Sequence, residues 1–167
     1  MSKELQNEIN NLVKTIHPIK KMKFAVKCVE LVLPIFEAKY PSDKRPRLAF
    51  ETAKKYLTLS SRELREITDN ESERIFNESQ NIYKIAEPIE ETPEGQTAYA
   101  VANLVRTAAI FTWDAWHTGA SMSDTISYII KNISSIDESN LIIAKEILDG
   151  IMEEIKLEEN DIKKGIK

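Results

Sequence analysis

The stretch Thr97–Trp116, TAYAVANLVRTAAIFTWDAW, constrains this chain more than any other. Its twenty residues carry two formal charges, Arg106 and Asp114, in a sequence that is 30% charged. Ala98, Ala102, Val105, Ala109, Phe111 and Trp113 put small or apolar groups on every side of a helix. A helix apolar all round has to be surrounded by other helices. Thr, Asn, Arg and Asp interrupt the run too often for a membrane span. Ala98, Ala102, Ala108 and Ala109 let neighbours approach closely, and Tyr99, Phe111, Trp113 and Trp116 supply aromatic area to bury.

The rest of the chain agrees. With 167 residues it can bury roughly two thirds of its unfolded surface as one domain. Only 4 glycines and 6 prolines interrupt a sequence rich in Glu, Lys, Leu and Ala, which are strong helix formers. These features predict an all-α fold: a single compact domain over residues 1–167, of about seven helices. Two buried central helices, Phe24–Lys39 and Thr97–His117, form its middle, and 157–167 is expected to be a frayed polar tail. Cys28 has no partner in the chain, and the first residues lack a signal-peptide apolar core, which together predict a cytoplasmic protein. A net charge of −4 weighs against direct nucleic-acid binding, and nothing calls for a membrane.

Turn and cap chemistry divides the chain. A first helix is expected from about Ser2 to Ile16, ended by Pro18, and a second from Lys21 to Lys39, bent at Pro34. Asp43 is placed to cap a third, with Pro46 in its first turn and Leu48, Ala49, Ala53, Tyr56 and Leu57 buried. Ser60 or Ser61 starts a fourth, and a fifth runs over Glu71–Ala86. A connection carrying Glu87, Glu90, Glu91 and Glu94 leads to Thr92-Pro93 and the central helix. Gly119 is expected to end that helix, Ser121 or Ser123 to cap the next, and Asp137 or Ser139 to cap the last.

Motifs for catalysis are missing. His17 and His117 lack HExxH or Cys/His spacing, so no metal is expected. There is no GxSxG and no glycine-rich phosphate loop, so the sequence implies neither an enzyme nor a cofactor. The lysines at 14, 20, 21, 23 and 27 read first as a solvated face, and second as a site for a phosphate or an acidic partner. Glu87, Glu90, Glu91 and Glu94 read as a soluble loop, or as a mimic of nucleic-acid phosphate turned toward a nuclease. Arg106 and Asp114, on the apolar helix, need partners. Eight residues separate them, about 80° around the helix, so they do not serve each other. Glu37 or Asp43 is expected beside Arg106, and Arg45 or Arg47 beside Asp114. His117, near the helix C-terminus, suits the dipole there.

One motif stands out. Pro34-Ile35-Phe36-Glu37 is followed by Pro41-Ser42-Asp43, then Arg45-Pro46-Arg47, with Ala49, Ala53 and Lys54 beyond. Arginines on a helix's first turn oppose its dipole, so Arg45 and Arg47 need carboxylates, with Glu37, Glu51 and Asp114 in reach. On these residues, Phe24–Leu57 resembles a family of immunity proteins of bacterial polymorphic toxin systems, and Ala98–Ala120 looks like a bulkier version of that family's alanine-rich helix. The resemblance implies a protein that binds and neutralises a cognate toxin domain by occlusion, without catalysis. Glu37, Asp43, Arg45, Pro46 and Arg47 then either lock a turn or meet the toxin. Acidic surface at Glu87–Glu94 or Glu63–Glu78 would suit a basic nuclease toxin. A helical regulatory or scaffold module is an alternative, as is a small-ligand bundle or enzyme using Arg106, Asp114 and His117 in an internal pocket. Either a monomer or a homodimer is compatible with the pattern.

Overall fold

The computed structural model describes residues 2–113 and 119–165. Asp114, Trp116 and His117, and with them the expectations placed on those three, lie outside the described residues. Among the described residues there are eight α-helices and no strand. They are α1 (Ser2–Val13), α2 (Pro18–Lys39), α3 (Arg45–Lys55), α4 (Ser61–Arg65), α5 (Asp69–Ala86), α6 (Pro93–Trp113), α7 (Gly119–Ile136) and α8 (Ser139–Lys163). None of the helices is long and apolar enough to cross a membrane.

The all-α reading holds, and α6 is the axis of the molecule: α2, α3, α5 and α7 all pack on it. Its alanines allow that crowding, with Ala98, Ala100, Ala102, Ala108 and Ala109 all buried together with Val101, Leu104, Val105 and Phe111. Burial fails along one stripe. Gln96, Tyr99, Arg106 and Ile110 are only half-buried, and Trp113 is 53% exposed rather than part of the core. The spacing of these positions, with Asn103, is i, i+3, i+7, i+10, i+14 and i+17, one side of a helix. A helix with neighbours on four sides still keeps one narrow side open.

Local chemistry sets most boundaries. Pro18 opens α2 as its first residue, behind an extended His17, so α1 stops at Val13, short of Ile16. Pro34 lies inside α2 on an exposed side, and the helix runs on to Lys39. In α3 the inward positions are Pro46, Ala49, Phe50 and Ala53, which leaves Leu48 63% exposed instead of buried. Ser60 and Glu63 form a reciprocal capping box on α4, and Thr68 caps α5 through the N–H of Glu71 at 3.2 Å.

Between α5 and α6 the acidic connection is a tight corner. Glu87–Ile89 forms a short 3-10 turn, and Thr92 Oγ1 accepts the N–H of Gly95 at 3.0 Å. A Cβ on Gly95 would sit 2.0 Å from the carbonyl oxygen of Ile89, so only glycine allows this approach. Further on, α7 begins at Gly119, ahead of the start expected from Ser121 or Ser123. Asp137 accepts the N–H of Ser139 at 2.8 Å from one residue outside the cap position of α8, which Glu138 occupies. The segment from Leu157 stays helical to Lys163 rather than fraying from its start. The lysine run explains part of this. Lys20 pairs with Glu158 at 3.0 Å and Lys23 with Glu154 at 2.8 Å, binding α2 to α8, while Lys21 is buried and donates to Ser123 at 3.0 Å.

Candidate functional site

The motif residues meet at the turn from α2 into α3. Arg47 forks onto Glu37, with Nε at 2.7 Å from Oε1 and Nη2 at 2.8 Å from Oε2, and reaches Glu51 at 3.4 Å. Its guanidinium also lies over the Phe50 ring, 5.4 Å from the centroid. The hydrogen bonds from Arg47 hold the Glu37 carboxyl below its usual range, and Arg47 is raised in return. Such a fork fixes both planes, which a single charge contact does not. Pro46, between the two arginines, is buried.

Arg45 is arranged differently. It forks back onto Asp43, Nε to Oδ1 at 2.9 Å and Nη2 to Oδ2 at 2.6 Å, and Asp43 also accepts the Arg45 backbone N–H at 3.1 Å. That hydrogen bonding lowers the Asp43 carboxyl. Asp43 therefore satisfies the start of α3 from one residue outside the cap position, which Lys44 occupies. The Arg45 side chain is 67% exposed, against 34% for Arg47. The two arginines divide the work: Arg47 ties α3 to α2, and Arg45 projects into solvent with Leu48 one turn along.

At the corner before α6, Glu87, Glu90 and Glu91 are exposed and Glu94 half-buried. Glu90 is the ordered one, since its carboxylate accepts from Tyr99 Oη at 3.3 Å and its carbonyl from Gln96 Nε2 at 2.8 Å.

Beside this corner lies an open polar cavity of about 540 Å³. From α6 it is lined by Gln96, Tyr99, Asn103 and Arg106, from α5 and its end by Gln80, Tyr83 and Glu87, and from α7 by Tyr128, Lys131 and Asn132. The α6 members are the partly open stripe described above. Neither Glu37 nor Asp43 reaches Arg106, because both are taken by the α3 arginines and Arg106 points to the α5–α7 side. The Arg106 guanidinium lies over the Phe76 ring, 5.9 Å from its centroid. Its Nε is buried without a hydrogen-bond partner, an arrangement that costs on the order of 1–3 kcal/mol.

A chain of hydrogen bonds stiffens the wall. The Tyr83 hydroxyl donates to Asn103 Oδ1, Asn103 Nδ2 donates to Asn132 Oδ1 at 3.1 Å, and Asn132 Nδ2 donates to Gln96 Oε1 at 3.0 Å. Burial raises the Tyr83 phenol, and its hydrogen bond with Arg106 pulls the other way. The stripe Gln96-Tyr99-Asn103-Arg106 was visible as polar residues at helical spacing on an otherwise apolar helix. Sequence reasoning singled out Arg106 alone, because it looked for charge and not for the neighbours one turn away.

No curated protein and no solved structure matches this chain. Residues 12–65, about a third of the chain, match the family model described as Imm-5 like putative immunity protein, and over that segment, from the end of α1 through α4, the chain is similar to that family.

Proposed function

We propose that this protein is an immunity protein, which binds a cognate toxin domain in the bacterial cytoplasm and neutralises it by covering a surface the toxin needs. The observation that carries this reading is the family match, which spans the Pro34–Glu37 run, the turn and the Arg-Pro-Arg motif. The geometry of the turn supports a contact role for part of it. Arg45 and Leu48 are exposed on a backbone already held by Arg47, Glu37 and Asp43, so little ordering is left to do on binding. Arginine is also among the residues that dominate binding energy when a partner desolvates it. The exposed carboxylates of Glu87, Glu90 and Glu91 suit a basic partner such as a nuclease and would speed encounter. An interface of roughly 1,600 Å² is sufficient for a stable complex.

Co-expression with each protein encoded beside this one tests the reading. Rescue from a lethal neighbour, with co-purification of the two chains, is the expected outcome. If every lethal neighbour still kills in its presence, the reading is wrong. In a rescued pair, Arg45→Ala with Leu48→Ala is expected to weaken the complex about tenfold or more, as loss of a contact worth 1.4 kcal/mol does. Unchanged affinity would remove this face from the interface and leave neutralisation standing.

A further inference from the structure

Arg106 is placed differently from the two arginines of the α2–α3 turn. Arg45 and Arg47 each hold a carboxylate in a fork. Arg106, which lines the cavity between α5, α6 and α7, holds none among the described residues, and one of its nitrogens is buried without any partner. Lys131 lines the same cavity, and Glu87 is the one carboxylate among the lining residues. Two cations against one anion leave the cavity one positive charge in excess.

The walls add a second specification. Tyr83, Tyr99 and Tyr128 line the space, and the first two make a tilted contact, 5.8 Å between centroids with 54° between their planes. Rings of this kind accept a flat or narrow apolar body against them. The Tyr83–Asn103–Asn132–Gln96 chain uses side chains from three helices to hold one shape, so the cavity is formed before anything enters. A volume of about 540 Å³ lies in the range of small-ligand sites.

We propose that this cavity is a recognition site for a carboxylate, gripped by the Arg106 guanidinium with Lys131 beside it, and carried on a narrow body that lies among Tyr83, Tyr99 and Tyr128. A planar carboxylate matches the guanidinium fork and brings the single negative charge the cavity lacks. A phosphate dianion brings a second charge that Glu87 opposes. The carboxylate belongs either to a free small molecule or to an acidic side chain presented by a bound protein. The proposal does not rest on the immunity reading, and in the second case it adds an anchor point to that interface.

The full chain, labelled with nitrogen-15, is titrated with four probes while the Arg106 Nε–H resonance and the backbone amides of α5, α6 and α7 are followed. The probes are 4-hydroxyphenylacetate, its neutral alcohol 4-(2-hydroxyethyl)phenol, the side-chain carboxylate of N-acetylglutamic acid α-amide, and inorganic phosphate. Saturable shifts centred on Arg106 are expected with at least one carboxylate, at least tenfold weaker binding of the alcohol and of phosphate, and a further tenfold loss in Arg106→Gln. Lys131→Gln, at an exposed position, is expected to weaken binding about threefold and keeps the test decisive should Arg106→Gln fail to fold. Preference for 4-hydroxyphenylacetate points to a free small carboxylate, and preference for the glutamate probe to a protein side chain. No saturable shift with either carboxylate, phosphate or alcohol binding as tightly, or carboxylate affinity unaltered by both variants, overturns the proposal.

Discussion

Arg45 and Arg47 lie two residues apart on the first turn of α3, yet their surroundings give them different tasks. Arg47 is tied to Glu37, Glu51 and the face of Phe50, so its loss loosens the α2–α3 packing. Because a third of its side chain is exposed, Arg47→Ala is expected to cost only about 1 kcal/mol in urea unfolding. The pair also titrates. Glu37 has a folded pKa below its unfolded value of about 4.3, so its contribution is complete above that pH and disappears as pH falls through the folded value. The unfolding midpoint is therefore expected to drop below about pH 4, and less so in Glu37→Gln. Burial raises Glu78, which acts with the opposite sign, so the comparison with that variant isolates Glu37. An acid limb as steep in Glu37→Gln as in the parent would contradict the assignment. Cys28 offers a simpler check. Its thiol is fully buried and its pKa raised by that burial, so alkylation by iodoacetamide at pH 8 should wait for unfolding.

Among the elements, α6 depends on the corner that precedes it. A methyl group on Gly95 would meet backbone atoms of Ile89 and Glu90, which cannot rotate away as a side-chain tip does. Gly95→Ala is therefore expected to destabilise the protein by about 3 kcal/mol, at the upper end for overpacking, as read by denaturant unfolding. A loss under 0.5 kcal/mol would mean the corner yields easily. This contact was invisible in the sequence, where Glu87–Thr92 read as an acidic connection. The central position of α6 was legible, because a helix without a polar side has to be enclosed. Its open stripe was not, since Tyr99 and Trp113 look like core residues until their register is known. Phe50 and Leu48 show the same limit: two residues apart, one lies in the core and the other in solvent, and the phase of α3 decides which. The last helix differed for another reason. Its polar end is held by Lys20 and Lys23, over a hundred residues earlier in the chain, a pairing that local composition does not reveal.

At the scale of the molecule, the matched segment and the polar cavity occupy different parts of one helical framework. The α2–α3 turn lies within residues 12–65, and the cavity is built from α5, α6 and α7, outside that match. The turn reaches α6 through α2 and α3, which pack on it, and the cavity is lined by α6 itself, so one central helix supports two separate surfaces. An immunity protein that acts by occlusion consumes itself in the act, one molecule for each toxin. An enzyme acting on the toxin would not. The most direct test is titration of a fixed amount of the rescued toxin domain, with its activity read after each addition of this protein. Linear loss of activity reaching zero near one equivalent is the result expected for occlusion. Complete inactivation by a small fraction of an equivalent, growing with time, would contradict it.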